Sequence, residues 1–435
     1  MPPVVAHAPS GGPPAHLGSV AAEPNAAALV SVRALLETVS LYLHIPFCHA
    51  KCHYCDFNSY AGMLGVRDQY VDVLEQEIAL AGQRARLADG RARRCRTVFF
   101  GGGTPSLLAA NQVVRLVAAA RRAFTLDAAA EITLEANPGA IERGHLGDLR
   151  AAGVNRLSFG AQSFDPGLLR WMGRIHTAGE IEEAVQAARA AGFTSINLDF
   201  IYALPGQSLH TWAETLDRAV ALGPEHLSLY SLIVEEGTPL HRWVAEGRVR
   251  PADEDLAADM YELAERRLAD AGYGQYEISN WARAGHACQH NLTYWRNLLY
   301  IGLGAGAHGS FAGQRYAEAR PIREYMRQVR ASCEAPMAGQ RGGEETALPA
   351  GAVVECETIS PELEMAETAM LGLRLVDGLS LTDFAERFGQ SFDTALGPRV
   401  ADVRALGLLQ QIGDHIRLTE RGRLLGNEVF ERVLP

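Results

Sequence analysis

The sequence predicts an α/β protein: an open (β/α)6 barrel followed by a small C-terminal helical, winged-helix-like domain. Two observations carry the barrel. Between residues 40 and 235, short β-prone apolar runs alternate with amphipathic helical stretches, the pattern of a parallel sheet with right-handed crossovers. The cysteine, glycine and polar residues that punctuate this region fall repeatedly after those runs, where barrels of this type bind ligands. A third observation separates the C-terminal domain. Residues 331–360 are rich in Gly, Glu, Ala and Pro and read as a linker.

The elements follow in order. Residues 1–39, rich in Ala, Pro and Gly, read as a flexible extension. Strands are expected at Leu41–Ile45, Thr97–Phe100, Glu131–Glu135, Arg156–Phe159, Ser195–Ile201 and His226–Tyr230. Helical patterns lie between them at Val71–Arg84, Gln112–Ala123, Ala178–Ala191 and Thr211–Leu222. These units fill residues 40–240. Residues 241–330 read as an extension of the barrel, with a helix near Asp253–Ala271, a His/Asn/aromatic segment and the glycine-rich run Gly302–Gly306. Residues 361–435 read as the C-terminal domain, ending in a helix, a β-hairpin wing and a second helix.

Composition bounds the function. A net charge of −11 leaves no basic field for a nucleic-acid backbone, and the acidic start of the winged-helix-like domain (Glu362, Glu364, Glu367) makes DNA binding there unfavourable. Seven cysteines, three of them in one short run, do not form a disulfide framework. No apolar run is long enough to span a bilayer, and residues 1–30 lack the Lys or Arg of a secretory signal. The expected compartment is the cytoplasm.

The first strand leads into Cys48-His49-Ala50-Lys51-Cys52-His53-Tyr54-Cys55. A C-x3-C-x2-C spacing can place three thiolates on one iron–sulfur cube, leaving the fourth iron open to an exogenous ligand. The same residues could instead hold zinc, with His44, His49 or His53 as fourth ligand. Lys51 is the sole lysine of the chain. The cysteine spacing resembles the signature of the radical S-adenosylmethionine (SAM) superfamily. That resemblance implies a [4Fe–4S] cluster whose open iron chelates SAM.

Further along, Gly101-Gly102-Gly103-Thr104 follows the second strand and permits close backbone approach to a polar ligand. Glu135, Gln162, Arg174 and Asp199 form a polar set at the expected barrel mouth. Asp199 lies between Leu198 and Phe200, and a carboxylate inside an apolar strand requires a partner or a ligand.

Taken with Tyr42-Leu43-His44-Ile45-Pro46-Phe47-Cys48, Gly160-Ala161-Gln162-Ser163 and Gly173-Arg174-Ile175-His176, these runs resemble the oxygen-independent coproporphyrinogen III oxidase family. The resemblance implies cluster ligation by Cys48, Cys52 and Cys55. It implies SAM contacts at Tyr42, Tyr54, Gly102, Gly103, Thr104, Glu135, Gln162, Arg174, Asp199 and Ile233, with His308 at a second-SAM position. The oxidase has a fourth cysteine two residues after the third, where this chain has Phe57, and residues 1–40 hold no recognisable substrate arm. Both departures point to the sister branch of haem chaperones. An H-N-x-x-Y-W motif typical of that branch occurs at His290–Trp295, so His290, Tyr294 and Trp295 are the expected haem contacts. The branch implies haem as cargo and acceptor haem proteins, such as respiratory-chain components, as partners. It is compatible with peripheral membrane association and a homodimer. The rival expectations are the oxidase activity itself, radical decarboxylation of porphyrinogen propionates, and a different radical-SAM transformation of an unknown tetrapyrrole. No catalytic residue is assigned.

Overall fold

The structure, a computed structural model, describes residues 37–140, 143–335 and 348–435. Most of the expected extension, residues 1–36, lies outside the described residues. Six strands run parallel, side by side in chain order: β1 (Thr38–Ile45), β2 (Arg94–Gly102), β3 (Thr125–Ala136), β4 (Arg156–Gln162), β5 (Ile196–Tyr202) and β6 (His226–Ser231). Parallel neighbours cannot be joined by tight turns, so each step crosses over through helix. The crossovers contain α1 (Arg67–Arg84), α2 (Ala110–Ala123), α3 (Arg143–Ala152), the pair α4 (Pro166–Met172) and α5 (Ala178–Ala190), and α6 (Leu209–Ala221).

Strand periodicity sorts the side chains. Val39, Leu41, Leu43 and Ile45 of β1 join the main hydrophobic core, and Ser40, Tyr42 and His44 alternate with them on the face lining the barrel interior. The same alternation puts Glu135 of β3, Ser158 of β4 and Asp199 of β5 inside the barrel.

Beyond β6 the chain forms α7 (Pro239–Ala245), α8 (Glu254–Asp270) and an antiparallel pair, β7 (Gly274–Glu277) and β8 (Asn280–Ala282), with β8 against β6. It then returns through the barrel floor as α9 (Gln289–Trp295) and adds β9 (Tyr300–Leu303) parallel to β1. An antiparallel hairpin of β10 (His308–Phe311) and β11 (Gln314–Glu318) follows, then α10 (Ile322–Glu334). Part of the segment read as a linker is sheet. Val353–Thr358, β12, pairs with β11 at the edge, and residues 336–347 lie outside the described residues. Its pairing is non-local and its side chains are mostly exposed, so no period-2 apolar signal marks it. The twelve-stranded sheet ends in two edges, β12 and β7, so the barrel is open.

A buried carboxyl pair locks this second half to the first. Glu77 of α1 accepts hydrogen bonds from Gly304 N–H (2.9 Å), Gly351 N–H (2.9 Å) and the Tyr325 hydroxyl (2.7 Å). Glu318 of β11 lies beside it. Burial, then the charge of Glu77, pushes Glu318 up to about 11, so Glu318 holds the proton and Glu77 faces the donors.

The C-terminal domain has its own core, including Phe384, Phe392, Val403, Ile416 and Val429. Its three-stranded sheet (Leu379–Ser380, Leu409–Ile412 and His415–Leu418) sits among short helices, and Arg423 ties it to α8 through Glu265 at 2.8 Å.

Candidate functional site

The C-terminal ends of the strands meet at one cavity of about 350 Å³. Cys48, Cys52 and Cys55, on the loop after β1, all line it. The loop is clamped at its centre. His53 N–H donates to Met172 O (3.1 Å), the His53 ring shares a hydrogen bond with Trp171 O (2.8 Å), and His53 O accepts from Leu240 N–H (3.0 Å). Exposed Lys51 reaches across the loop and donates to Phe57 O at 3.1 Å.

Two of the thiols already face donors. Thr104 Oγ1 lies 3.7 Å from Cys48 Sγ, and an Arg174 guanidinium N–H donates to Cys52 Sγ at 3.3 Å. Donors around the sulfurs are what a cluster-ligating thiolate needs from its surroundings. Among the described residues, no three His, Cys, Asp or Glu side chains converge on a single metal ion. Of the candidate fourth zinc ligands, His44 has both ring nitrogens engaged, by the Tyr42 hydroxyl (3.0 Å) and Asn58 O (2.8 Å). Three thiols that line one cavity without converging on a single ion suit a cube, in which each would meet its own iron, better than they suit one zinc.

Much of the remaining lining is polar. Glu135, Gln162, Arg174, Asp199, Tyr54 and exposed Ile233 line the same cavity. Burial, and then the neighbouring charge of Asp199, pushes Glu135 up to about 8. Asp199 is also raised by burial, against donation from Ser158 Oγ (2.9 Å) and Asn197 Nδ2 (2.8 Å). Two carboxyl groups strained in this way favour a cationic ligand that also brings hydroxyl donors. Arg174 donates to Asn137 Oδ1 and Gly160 O, yet its buried Nε–H has no partner among the described residues. A bound anion would satisfy that orphaned donor. Gln162 stands in the left-handed region with φ of 65°, strain of the kind that concentrates at ligand sites.

Gly102, Gly103 and Thr104 line the cavity, but their amides are already engaged. Gly102 N–H donates to Glu135 Oε2 (3.1 Å), Gly103 N–H to Ile45 O (2.9 Å) and Thr104 N–H to Phe47 O (2.8 Å). The run is glycine because a Cβ on Gly103 would lie 2.6 Å from Phe47 O and one on Gly102 2.5 Å from the His44 ring. Its glycines let β2 close against the cysteine loop.

The remaining expected residues separate from this group. Tyr42 and His308 line a second cavity of about 400 Å³, which shares Asp56, Phe57, Gly102 and Glu135 with the first. Tyr294 also faces the second cavity, whereas His290 and Trp295 face neither. His290 is buried in the barrel floor. Its ring nitrogens meet Thr97 Oγ1 (2.7 Å) and the Tyr294 hydroxyl (2.9 Å), and its backbone N–H donates to Glu131 (3.0 Å). Burial lowers its pKa to about 3, so it is a neutral core imidazole with no lone pair free for iron. Trp295 packs under the Arg374 guanidinium at 4.5 Å. The motif is a plug: Thr293 shares a hydrogen bond with Ser40 of β1 at 2.9 Å.

Sequence reasoning missed the residues that hold the site residues in place. Asn137 bridges Arg174 and Thr104, and Asn197 bridges Asp199, Ser158 and His226. The available signal was a polar residue at every second position of β5 and β6, Asn197/Asp199 and His226/Ser228.

Comparison with known proteins agrees with this geometry. The Radical SAM superfamily model matches residues 42–219, and the HemN C-terminal domain model matches residues 359–425. The chain is 37% identical to the heme chaperone HemW of Bacillus subtilis, covering 91% of this chain and 99% of that protein. It is 37% identical to the Escherichia coli heme chaperone HemW, covering 92% and 99%. The solved structure of the Escherichia coli coproporphyrinogen III oxidase HemN, a radical SAM enzyme, superposes with a TM-score of 0.75 at 25% identity, covering 92% of this chain and 91% of that one. The chain belongs to the HemW family of the radical SAM superfamily.

Proposed function

We propose that this protein binds a [4Fe–4S] cluster through Cys48, Cys52 and Cys55, binds SAM beside it, and carries haem to acceptor haem proteins. When bound, the cluster would supply an electron to SAM. The chain's own residues do the rest. Arg174 meets the SAM carboxylate with its free Nε–H, Glu135 and Asp199 meet its cationic and hydroxyl groups, and Tyr54 and Ile233 pack against it.

The observation that carries haem transfer over porphyrinogen oxidation is Phe57. It stands 60% exposed at the rim shared by the two cavities, where the oxidase family has a further thiol. An exposed phenylalanine offers a stacking face to a planar macrocycle and no redox or proton chemistry. The reading extends to respiratory-chain haem proteins as acceptors and to a cytoplasmic protein able to meet a membrane surface, alone or as a homodimer. No helix among the described residues is long and apolar enough to cross a membrane.

The test is direct. The chain, reconstituted anaerobically with iron and sulfide, is given SAM, a reductant and coproporphyrinogen III, and in parallel is titrated with haem. Haem binding without protoporphyrinogen formation is expected. Multiple turnovers to protoporphyrinogen IX would establish the oxidase instead.

A further inference from the structure

The second cavity has the chemistry of a porphyrin site. Its walls bring together aromatic surface from Phe57, Tyr294 and Tyr300, an imidazole from His308 and a guanidinium from Arg320. Three histidines stand at or behind it, and they differ in what their rings already do. His290 and His44 have both nitrogens engaged within the protein. His308, exposed on β10, has no side-chain hydrogen bond among the described residues, so both its nitrogens are open to a ligand. Arg320 is exposed, and its guanidinium has no ion-pair partner among the described residues, although its carbonyl accepts from Asn58 and Tyr60. These two groups are anchored by the strand pairing of β10 and by the Asn58–Tyr60 end of the cysteine loop. A free nitrogen ligand, a free cation and an aromatic wall correspond to the three parts of haem: iron, propionate and ring.

We propose that this cavity receives the haem, with His308 as its axial ligand, Arg320 paired with a propionate, and Phe57 with Tyr294 against the macrocycle. This rests on the haem-carrier reading and relocates its site. The His290–Trp295 motif then contributes one wall residue, Tyr294, and the plug that positions it, while its histidine stays in the core. Because the two cavities share Asp56, Phe57, Gly102 and Glu135, haem bound here abuts the SAM pocket, and occupancy of one would be felt by the other through common residues.

The experiment uses the full chain, reconstituted with cluster and titrated with ferric haem, as wild type, His308→Ala and Arg320→Ala. Both positions are exposed, and cluster iron content checks that each variant folds. His308→Ala should weaken haem binding about tenfold or more and abolish the imidazole-ligated ferric haem EPR signal, with added free imidazole restoring it. Arg320→Ala should weaken binding by about fivefold and leave that signal in place. Wild-type affinity and an unchanged EPR signal in His308→Ala would overturn the assignment and leave haem binding standing at another site. Failure of the wild type to bind haem would overturn both. Equilibrium dialysis showing two SAM molecules per chain, reduced to one by His308→Ala, would also overturn it, by giving the cavity to a second SAM.

Discussion

Replacing Glu135 by Gln tests the electrostatics of the proposed SAM pocket. A carboxyl group held at about 8 carries its proton in about nine-tenths of molecules at pH 7. SAM brings a sulfonium and an ammonium into this cavity, and an adjacent cation favours the carboxylate. Binding at pH 7 should therefore release about 0.9 proton per SAM, falling to about 0.1 at pH 9, where Glu135 is already ionised. Titration calorimetry in two buffers of different ionisation enthalpy reads this number as the slope of the observed heat. Glu135→Gln should bring it close to zero at both pH values. No release by the wild type at pH 7, or the same release by the variant, would refute the account. The free protein carries the complementary signature. Between the ordinary glutamate value of 4.5 and about 8, the folded state holds a proton that the unfolded chain lacks. Over that window this group makes stability fall as pH rises, by at most about 1.4 kcal/mol per pH unit, with no further change above it.

Other outcomes follow from the same geometry. Cys52→Ala should lose most of the iron and sulfide after anaerobic reconstitution, measured by metal analysis and absorbance, because three ligands leave no redundancy. Asp199→Ala should weaken SAM binding by calorimetry while the cluster content stays at the wild-type level, since Asp199 is held by Ser158 and Asn197 and bonds none of the three cysteines. Glu77→Gln can satisfy at most part of a site built from three donors, so it should cost about 2–4 kcal/mol in thermal or denaturant unfolding. Glu318→Gln replaces a neutral acid by a neutral amide and should cost under about 1 kcal/mol at pH 7, while making the fall in stability between pH 7 and 9 shallower by this group's share.

The barrel was legible because its information is local. Most inner strands carry a short apolar run, and the loops that line the candidate site follow such runs. The edges were not. β12 reads Val-Val-Glu-Cys-Glu-Thr, and only its distant partner β11 makes it a strand. Helix α3 contains two glycines, Gly144 and Gly147, and has weak intrinsic helicity. Leu146 and Leu149, both fully buried, hold it in the tertiary structure. In the site, spacing singles out the three cysteines, but whether a histidine is open to a ligand depends on burial, and burial is not a local property. His290 and His308 are equally conspicuous in the sequence. Only the return of the chain through the barrel floor makes one a plug and leaves the other at an open rim.

The lone lysine has a practical consequence. All the other basic residues among the 40 are arginine, and Lys51 sits exposed on the cysteine loop with its ammonium on Phe57 O. A lysine-specific protease therefore has one scissile bond in the whole chain, between Lys51 and Cys52. Its rate of cutting reads the opening of the cysteine loop alone, with no background from the other domains. On the purified chain, amine-reactive dyes have one side-chain target, the same residue, and peptide mass spectrometry separates it from the α-amino group, so the state of the loop can be followed by labelling as well.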